Sequence, residues 1–241
     1  MKRVFYSVLC LCLIILTFTS CLSSKIERNS TSKAYRTLNF KEDLDYLKTD
    51  ISYPEFNNYP ELSKRVKNTI FSNWESFKSY TKNDWHQINE LNARDSKSSL
   101  PPYEYIVKTQ IETSSQKYIS VLINSYVYNG GAHGNTTLIS YNYNINTGKY
   151  ENILTVTGMD INKISEISRN QLYDRLINHN KDISSPSQID DLKEMINTGA
   201  FPQIGNFEIF TIAKKNLTIY FEPYSVAPYS YGIQSVNLKI E

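Results

Sequence analysis

Apolar residues recur along this chain with two different periods. Leu62, Val66, Ile70, Trp74 and Phe77 follow one another at spacings of 4, 4, 4 and 3. That spacing puts them on one stripe of a helix of about five turns. Pro60 and Glu61 suit its first turn, where a missing N–H costs nothing and a negative charge is favoured. Trp85 and His86 fall on a less regular extension. Before the helix, Ile51-Ser52-Tyr53-Pro54 reads as a strand that ends at proline.

From Tyr103 onward the period becomes two. Tyr105, Val107, Thr109 and Ile111 alternate with polar neighbours, as do Ile119, Val121, Ile123 and Val127. Ile139, Tyr141, Tyr143 and Ile145 repeat the pattern, and Asn146-Thr147-Gly148-Lys149 is a turn in which glycine supplies a positive φ. Together these predict an antiparallel meander. Asp160 is placed to cap a helix running to about 179, with Ile161, Ile164, Ser168, Leu172 and Leu176 on one side. A shorter helix is predicted over 187–196. A hairpin is predicted over 207–222 around Lys214-Lys215-Asn216, and a last strand over 233–240.

Strands and helices are segregated, which predicts an α+β fold: an antiparallel β-sheet packed by a few helices. The Ser/Pro loop at 96–102 marks an expected seam between a small helix-bearing N-terminal subdomain (34–100) and a C-terminal α+β domain (101–241).

The start of the chain reads differently. Lys2 and Arg3 precede an apolar run, and Thr19 and Ser20 stand just before Cys21. This is the layout of a bacterial export signal over residues 1–20, with Cys21 as the expected site of lipid attachment. An uncleaved membrane helix over 4–21 is the alternative. Either places the remaining chain outside the cytoplasmic membrane. Residues 21–33, rich in Ser, Thr, Lys and Asn, read as a flexible tether.

Composition narrows the function. Cys10 and Cys12 lie in the export segment, so the mature domain is expected to hold no thiol and no disulfide. Loss of Lys2 and Arg3 leaves 24 basic and 24 acidic residues. A neutral balance argues against a nucleic-acid partner, which usually needs a basic face. Nineteen tyrosines against ten phenylalanines favour strands with half-wet faces.

Two segments break the regular pattern. In Tyr128-Asn129-Gly130-Gly131-Ala132-His133-Gly134-Asn135, three glycines in five positions surround one imidazole. They permit positive φ or the close approach of another backbone. One reading is a structural bulge in which His133 bonds a carbonyl; the other is a site. Residues 221–232 hold two prolines, three tyrosines and a closing glycine, which make a stiff aromatic loop suited to recognition or to covering a core edge.

The order Tyr-x-Gly-Gly-Ala-His-Gly, then Asn142-Tyr143-Asn144 with Thr147-Gly148-Lys149, then Pro223-Tyr224 and Val226-Ala227-Pro228-Tyr229 with Gly232, resembles a known extracytoplasmic domain. It is shared by RsiV-like lysozyme-sensing anti-sigma factors and the N-terminal region of PdaC-like peptidoglycan deacetylases. The segment from Ile51 through the first helix resembles the smaller domain that precedes it, so the resemblance spans about 36–241. Asn144 departs from the pattern, which commonly has Asp there.

The resemblance implies a cell-envelope module. Three residues before the apolar run leave no room for a sigma-binding segment, and no metal-binding catalytic domain follows the motifs. The expectation is therefore a lipid-anchored binding protein, not an enzyme, with no cofactor and no metal. Its expected partner is a lysozyme-like muramidase, with peptidoglycan or another wall glycan as the alternative. Gly130, Gly131, His133 and Gly134 are the candidate shaping loop, and Tyr224, Pro228 and Tyr229 the candidate contacts. A hydrolase using His133 is the third reading, although His86, His133 and His179 show no metal-ligand spacing.

Overall fold

The structure is a computed structural model that describes residues 25–31, 34–95, 102–179 and 185–240. The export segment 1–20, Cys21 and most of the 96–102 loop lie outside the described residues.

A parallel pair of strands organises the first part. Strands β1 (Lys25–Thr31), β2 (Tyr35–Asp43) and β3 (Leu47–Phe56) run antiparallel in order. Helix α1 (Pro60–Asp95) follows, and β4 (Tyr103–Glu112) then lies parallel to β3, with Leu47 opposite Tyr103. Parallel neighbours need a long crossover, which α1 supplies. Strands β5 (Tyr118–Tyr128), β6 (Asn135–Asn144) and the short β7 (Lys149–Tyr150) complete the sheet as a meander. The sheet expected to be antiparallel is thus mixed at one pair. Residues on both sides of 100/101 share this sheet and one core.

The predicted stripe faces that core. Leu62, Val66, Ile70 and Trp74 are buried against Leu47, Ile51, Tyr105, Val107, Val121 and Ile123. The helix continues well beyond the five turns expected, to 36 residues or about 54 Å. Its later turns keep contact with the sheet through Thr81, which is fully buried, and Trp85, whose ring meets that of Tyr103 edge-on at 6.3 Å. Segment 25–31, expected within the tether, instead pairs with β2 from Lys25 opposite Lys41 onward. A polar edge strand needs only backbone partners, so its composition did not reveal it.

The second core lies between helices and a small sheet. Helix α2 (Ile153–Thr157) leads to α3 (Ile161–Tyr173), which Asp160 caps by accepting from Asn162 N at 2.7 Å. A π-helical turn, Asp174–Asn178, extends α3. Helix α4 (Pro186–Gly199) starts at a reciprocal Ser185/Gln188 capping box. Strands β8 (Phe210–Ala213), β9 (Asn216–Phe221) and β10 (Gln234–Lys239) form an antiparallel sheet with β8 at one edge. Ile164, Leu172, Ile196, Phe207, Phe210, Ile212, Leu217 and Val236 fill this core.

The two sheets join through polar side chains. The outward backbone groups of β8 find no strand beside them. Ser140 Oγ accepts from Phe210 N at 3.0 Å, Asn142 Nδ2 donates to Phe210 O at 2.9 Å, and Ser120 Oγ accepts from Ile212 N at 2.9 Å. Ser120 in turn donates to Asn142 Oδ1 at 2.6 Å.

Two outcomes follow from these cores. Ser120→Ala leaves the Ile212 N–H and an Asn142 oxygen without partners inside the protein. It should lower unfolding free energy by about 1–3 kcal/mol in urea denaturation. Burial pushes the Tyr105 hydroxyl up to about 12, and burial with the hydrogen bond to Asp84 raises that of Tyr103. Groups whose pKa is raised on folding stabilise fully below the unfolded value of 10.0. Melting temperature should therefore fall as pH rises from 10 to 12, and Tyr105→Phe should flatten that fall.

Candidate functional site

The glycine-rich segment is the loop between β5 and β6, with Val127 paired to Asn135 across its base. Gly130 has φ of +89°, which excludes most side chains. At Gly134 an added Cβ would push the partly exposed Tyr126 ring aside. A Cβ there would lie 2.3 Å from the Tyr126 ring. Gly131 meets no such limit: the nearest atom to a Cβ is 3.7 Å away.

His133 is exposed, and its ring stacks on that of Tyr229 with centroids 3.8 Å apart and planes 17° from parallel. One carbonyl holds both rings. His133 Nδ1 lies 2.9 Å from Gly134 O, and the Tyr229 hydroxyl donates to the same oxygen at 2.9 Å. A carbonyl only accepts, so Nδ1 carries the proton. Nε2 then faces the Tyr224 hydroxyl at 3.4 Å. The Tyr224 and Tyr229 rings are 5.6 Å apart. The structure thus brings together His133, Tyr224 and Tyr229 from segments some ninety residues apart in sequence.

The aromatic loop is stiff because its middle is core. Val226 and Ala227 are buried in the second core, while Tyr224 on one side is 56% exposed. Tyr224 sits at φ of +71°, a left-handed conformation rare for a tyrosine. Pro228 is exposed and opens a 3₁₀ turn, Tyr229–Tyr231, that presents the Tyr229 ring. Glu222 accepts from Leu138 N at 2.5 Å, which ties the start of this loop to β6. Beside Tyr224 lies a hollow of about 360 Å³ lined by Asp191, Glu194, Met195, Thr198 and Ser225.

Other sequence expectations fall elsewhere. Asn144 is buried away from the rings. Its amide donates to Glu151 at 2.9 Å, and its oxygen accepts from Asn146 N and Thr147 N in the turn. That hydrogen bond holds the Glu151 carboxyl below its usual range. A carboxylate at 144 would face Glu151 with like charge, so the amide fits this turn. His86 is exposed on α1, and His179 Nδ1 lies 2.9 Å from Asp174 O at the end of the π turn. Among the described residues, no three His, Cys, Asp or Glu gather as a metal would require. Among them, too, no helix is long and apolar enough to cross a membrane.

Three residues escaped the sequence reading. Gly199 ends α4, and a Cβ on it would lie 1.9 Å from Ser225 O. In sequence it reads as an ordinary helix-terminal glycine. Glu222 gave no signal beyond its place before the loop. Arg65 lies on the exposed side of α1, yet its guanidinium carbon sits 4.3 Å over the Tyr150 ring and 5.1 Å over that of Tyr141.

Comparison with known proteins divides the chain in two. Residues 40–136 match the family described as Deacetylase PdaC, and residues 151–241 match the one described as Protein of unknown function (DUF3298). The N-terminal region thus resembles PdaC, as the motifs suggested. Neither match spans half of the chain. A relative, the peptidoglycan-N-acetylmuramic acid deacetylase PdaC of Bacillus subtilis (strain 168), is 29% identical over 136 residues. These make up 56% of this chain and 27% of that protein, so the chain spans about a quarter of the relative's length. Solved DUF3298-family proteins from Bacteroides fragilis NCTC 9343 and Pseudomonas aeruginosa PAO1 share the fold. Their TM-scores are 0.55 and 0.54, each at 16% identity and over 90% of this chain. The likeness covers 91% and 90% of those two proteins.

The close approach at Gly199 yields a test of the loop. Gly199→Ala forces Ser225 and α4 apart, and rigid backbone lies on both sides. Thermal melts should show a loss of about 1–3 kcal/mol. The one-dimensional NMR spectrum should show the Tyr224 and Tyr229 ring signals moving with it.

Proposed function

We propose that this chain is an extracytoplasmic envelope module that binds peptidoglycan without altering it, held at a membrane by lipid on Cys21. The observation that carries the reading is the three-ring patch. His133 and Tyr224 are exposed, Tyr229 is half-buried with one face against His133, and their positions are set by one shared carbonyl and by the buried Val226-Ala227 anchor. Such rings stack on the apolar faces of sugars with little loss of side-chain entropy. The export signal and the PdaC relative's printed action on peptidoglycan support the choice of ligand.

Non-enzymatic binding accords with the state of His133. Its Nδ1–H is directed at a backbone carbonyl and its ring is stacked on Tyr229, so the side chain serves as one wall of the patch. A protein ligand, a lysozyme-like muramidase, is the second reading. It is favoured by the rigid display of Tyr224 next to exposed Pro228, with acidic Asp191 and Glu194 beside the ring. In that case Tyr224, Pro228 and Tyr229 enter the partner's cleft.

Sedimentation of the detergent-solubilised full chain with insoluble peptidoglycan tests the proposal. The wild type should pellet. A Tyr224→Ala/Tyr229→Ala double variant should lose about tenfold or more in apparent affinity. Binding that leaves the double variant unaffected removes the patch from the argument. Capture of lysozyme by a chain that ignores the wall selects the second reading. Acetate or sugar released from the wall by the purified chain would make it an enzyme.

A further inference from the structure

We infer that Arg65 forms a second ligand site, which takes the free carboxylate of a short peptide such as those that end the stem peptides of cell wall. The site is separate from the His133–Tyr224–Tyr229 patch, and its ligand class rests on the peptidoglycan reading above.

The guanidinium of Arg65 is placed but unpaired. Its carbon lies over the rings of Tyr150 and Tyr141, at 4.3 and 5.1 Å. Among the described residues it makes no hydrogen bond or ion pair. Glu61, one helical turn before it, is not bonded to it. The rings are themselves held. The Tyr141 hydroxyl is 2.7 Å from Thr69 Oγ1, and the Tyr141 and Tyr143 rings each pack against Tyr150, at 5.7 and 5.5 Å. Contact with the rings uses no oxygen acceptor, so the guanidinium's N–H donors stay available to a planar one. A carboxylate fits those donors with two parallel hydrogen bonds.

The surroundings favour an anion. Arg65, Tyr141 and Tyr150 line two adjoining clefts of about 440 and 260 Å³. The larger holds Lys64 and Arg65 against the single carboxylate of Glu61. The smaller carries Glu151 and Glu208, but Glu151 is already bonded by Asn144 and Thr155. The anion therefore belongs in the larger cleft, with the body of a small peptide over the tyrosine rings. Burial raises the Tyr150 hydroxyl's pKa, and the nearby Arg65 charge opposes that shift.

Calorimetric titration of the full chain in detergent tests the site, with D-alanyl-D-alanine and its C-terminal amide as probes. The acid should bind, and the amide should bind about tenfold or more weakly, because it lacks the charge that Arg65 meets. Arg65→Gln should weaken the acid to the level of the amide, and Arg65→Lys should recover only part of the loss. Equal binding of acid and amide, no binding of the acid at millimolar concentration, or an unchanged Arg65→Gln protein overturns the inference. If Arg65→Gln fails to fold, as judged by circular dichroism, the comparison of acid with amide on the wild type decides alone. Wall sedimentation separates this from the earlier reading. A chain that binds the dipeptide yet ignores the wall keeps the Arg65 site and loses the wall-binding function; the reverse result does the opposite.

Discussion

Strand β8 has neighbours of two kinds. Along one edge β9 pairs with it through the backbone. Along the other, Ser120, Ser140 and Asn142 of the large sheet stand where a strand's backbone would be. A buried strand edge with unpaired N–H and C=O groups costs several kcal/mol. The large sheet's far face therefore carries small polar side chains where an apolar face would be usual. A hydrophobic contact tolerates sliding, whereas these bonds permit one register of Phe210 and Ile212 against β5 and β6. The relation between the sheets, and all that hangs from their ends, follows from that register.

What hangs from their ends is the three-ring patch. The β5–β6 loop belongs to one sheet and the β9–β10 loop to the other. They meet because β8 is bonded where it is and because Glu222 reaches Leu138. The Gly134 carbonyl then gathers a histidine N–H and a tyrosine O–H from the two sides. Each sequence oddity has its own cause in this arrangement. Gly134 makes room for Tyr126, Gly130 turns the chain, and Val226-Ala227 sink into the second core so that Tyr224 and Tyr229 stay out of it. Gly131, by contrast, has no structural requirement for glycine.

The helical stripe was legible because burial of one face is a local periodic demand. Leu62, Val66, Ile70 and Trp74 announce it at any tertiary placement. The end of α1 was not legible, since its last turns rest on single residues such as Thr81 and Trp85. The Asp160 cap and the later hairpin could be read because capping and turn chemistry act within a few residues. The edge strand 25–31 could not, because its pairing uses backbone groups that every sequence carries. The parallel pairing of β3 and β4 was missed for a similar reason. Alternation tells which face a strand buries and says nothing of the direction of its neighbour.

By itself the sequence determined which segments become helices and strands, which faces they bury, and which two loops carry unusual chemistry. These depend on side-chain period, capping and glycine conformational freedom, all set over short stretches of chain. Tertiary structure alone decided that His133 would stack on Tyr229, that Gly199 would have to yield to Ser225, and that Arg65 would lie over tyrosines of a distant strand pair. Those outcomes depend on distances between residues far apart in sequence. Such distances exist only once polar side chains have locked one sheet against the other.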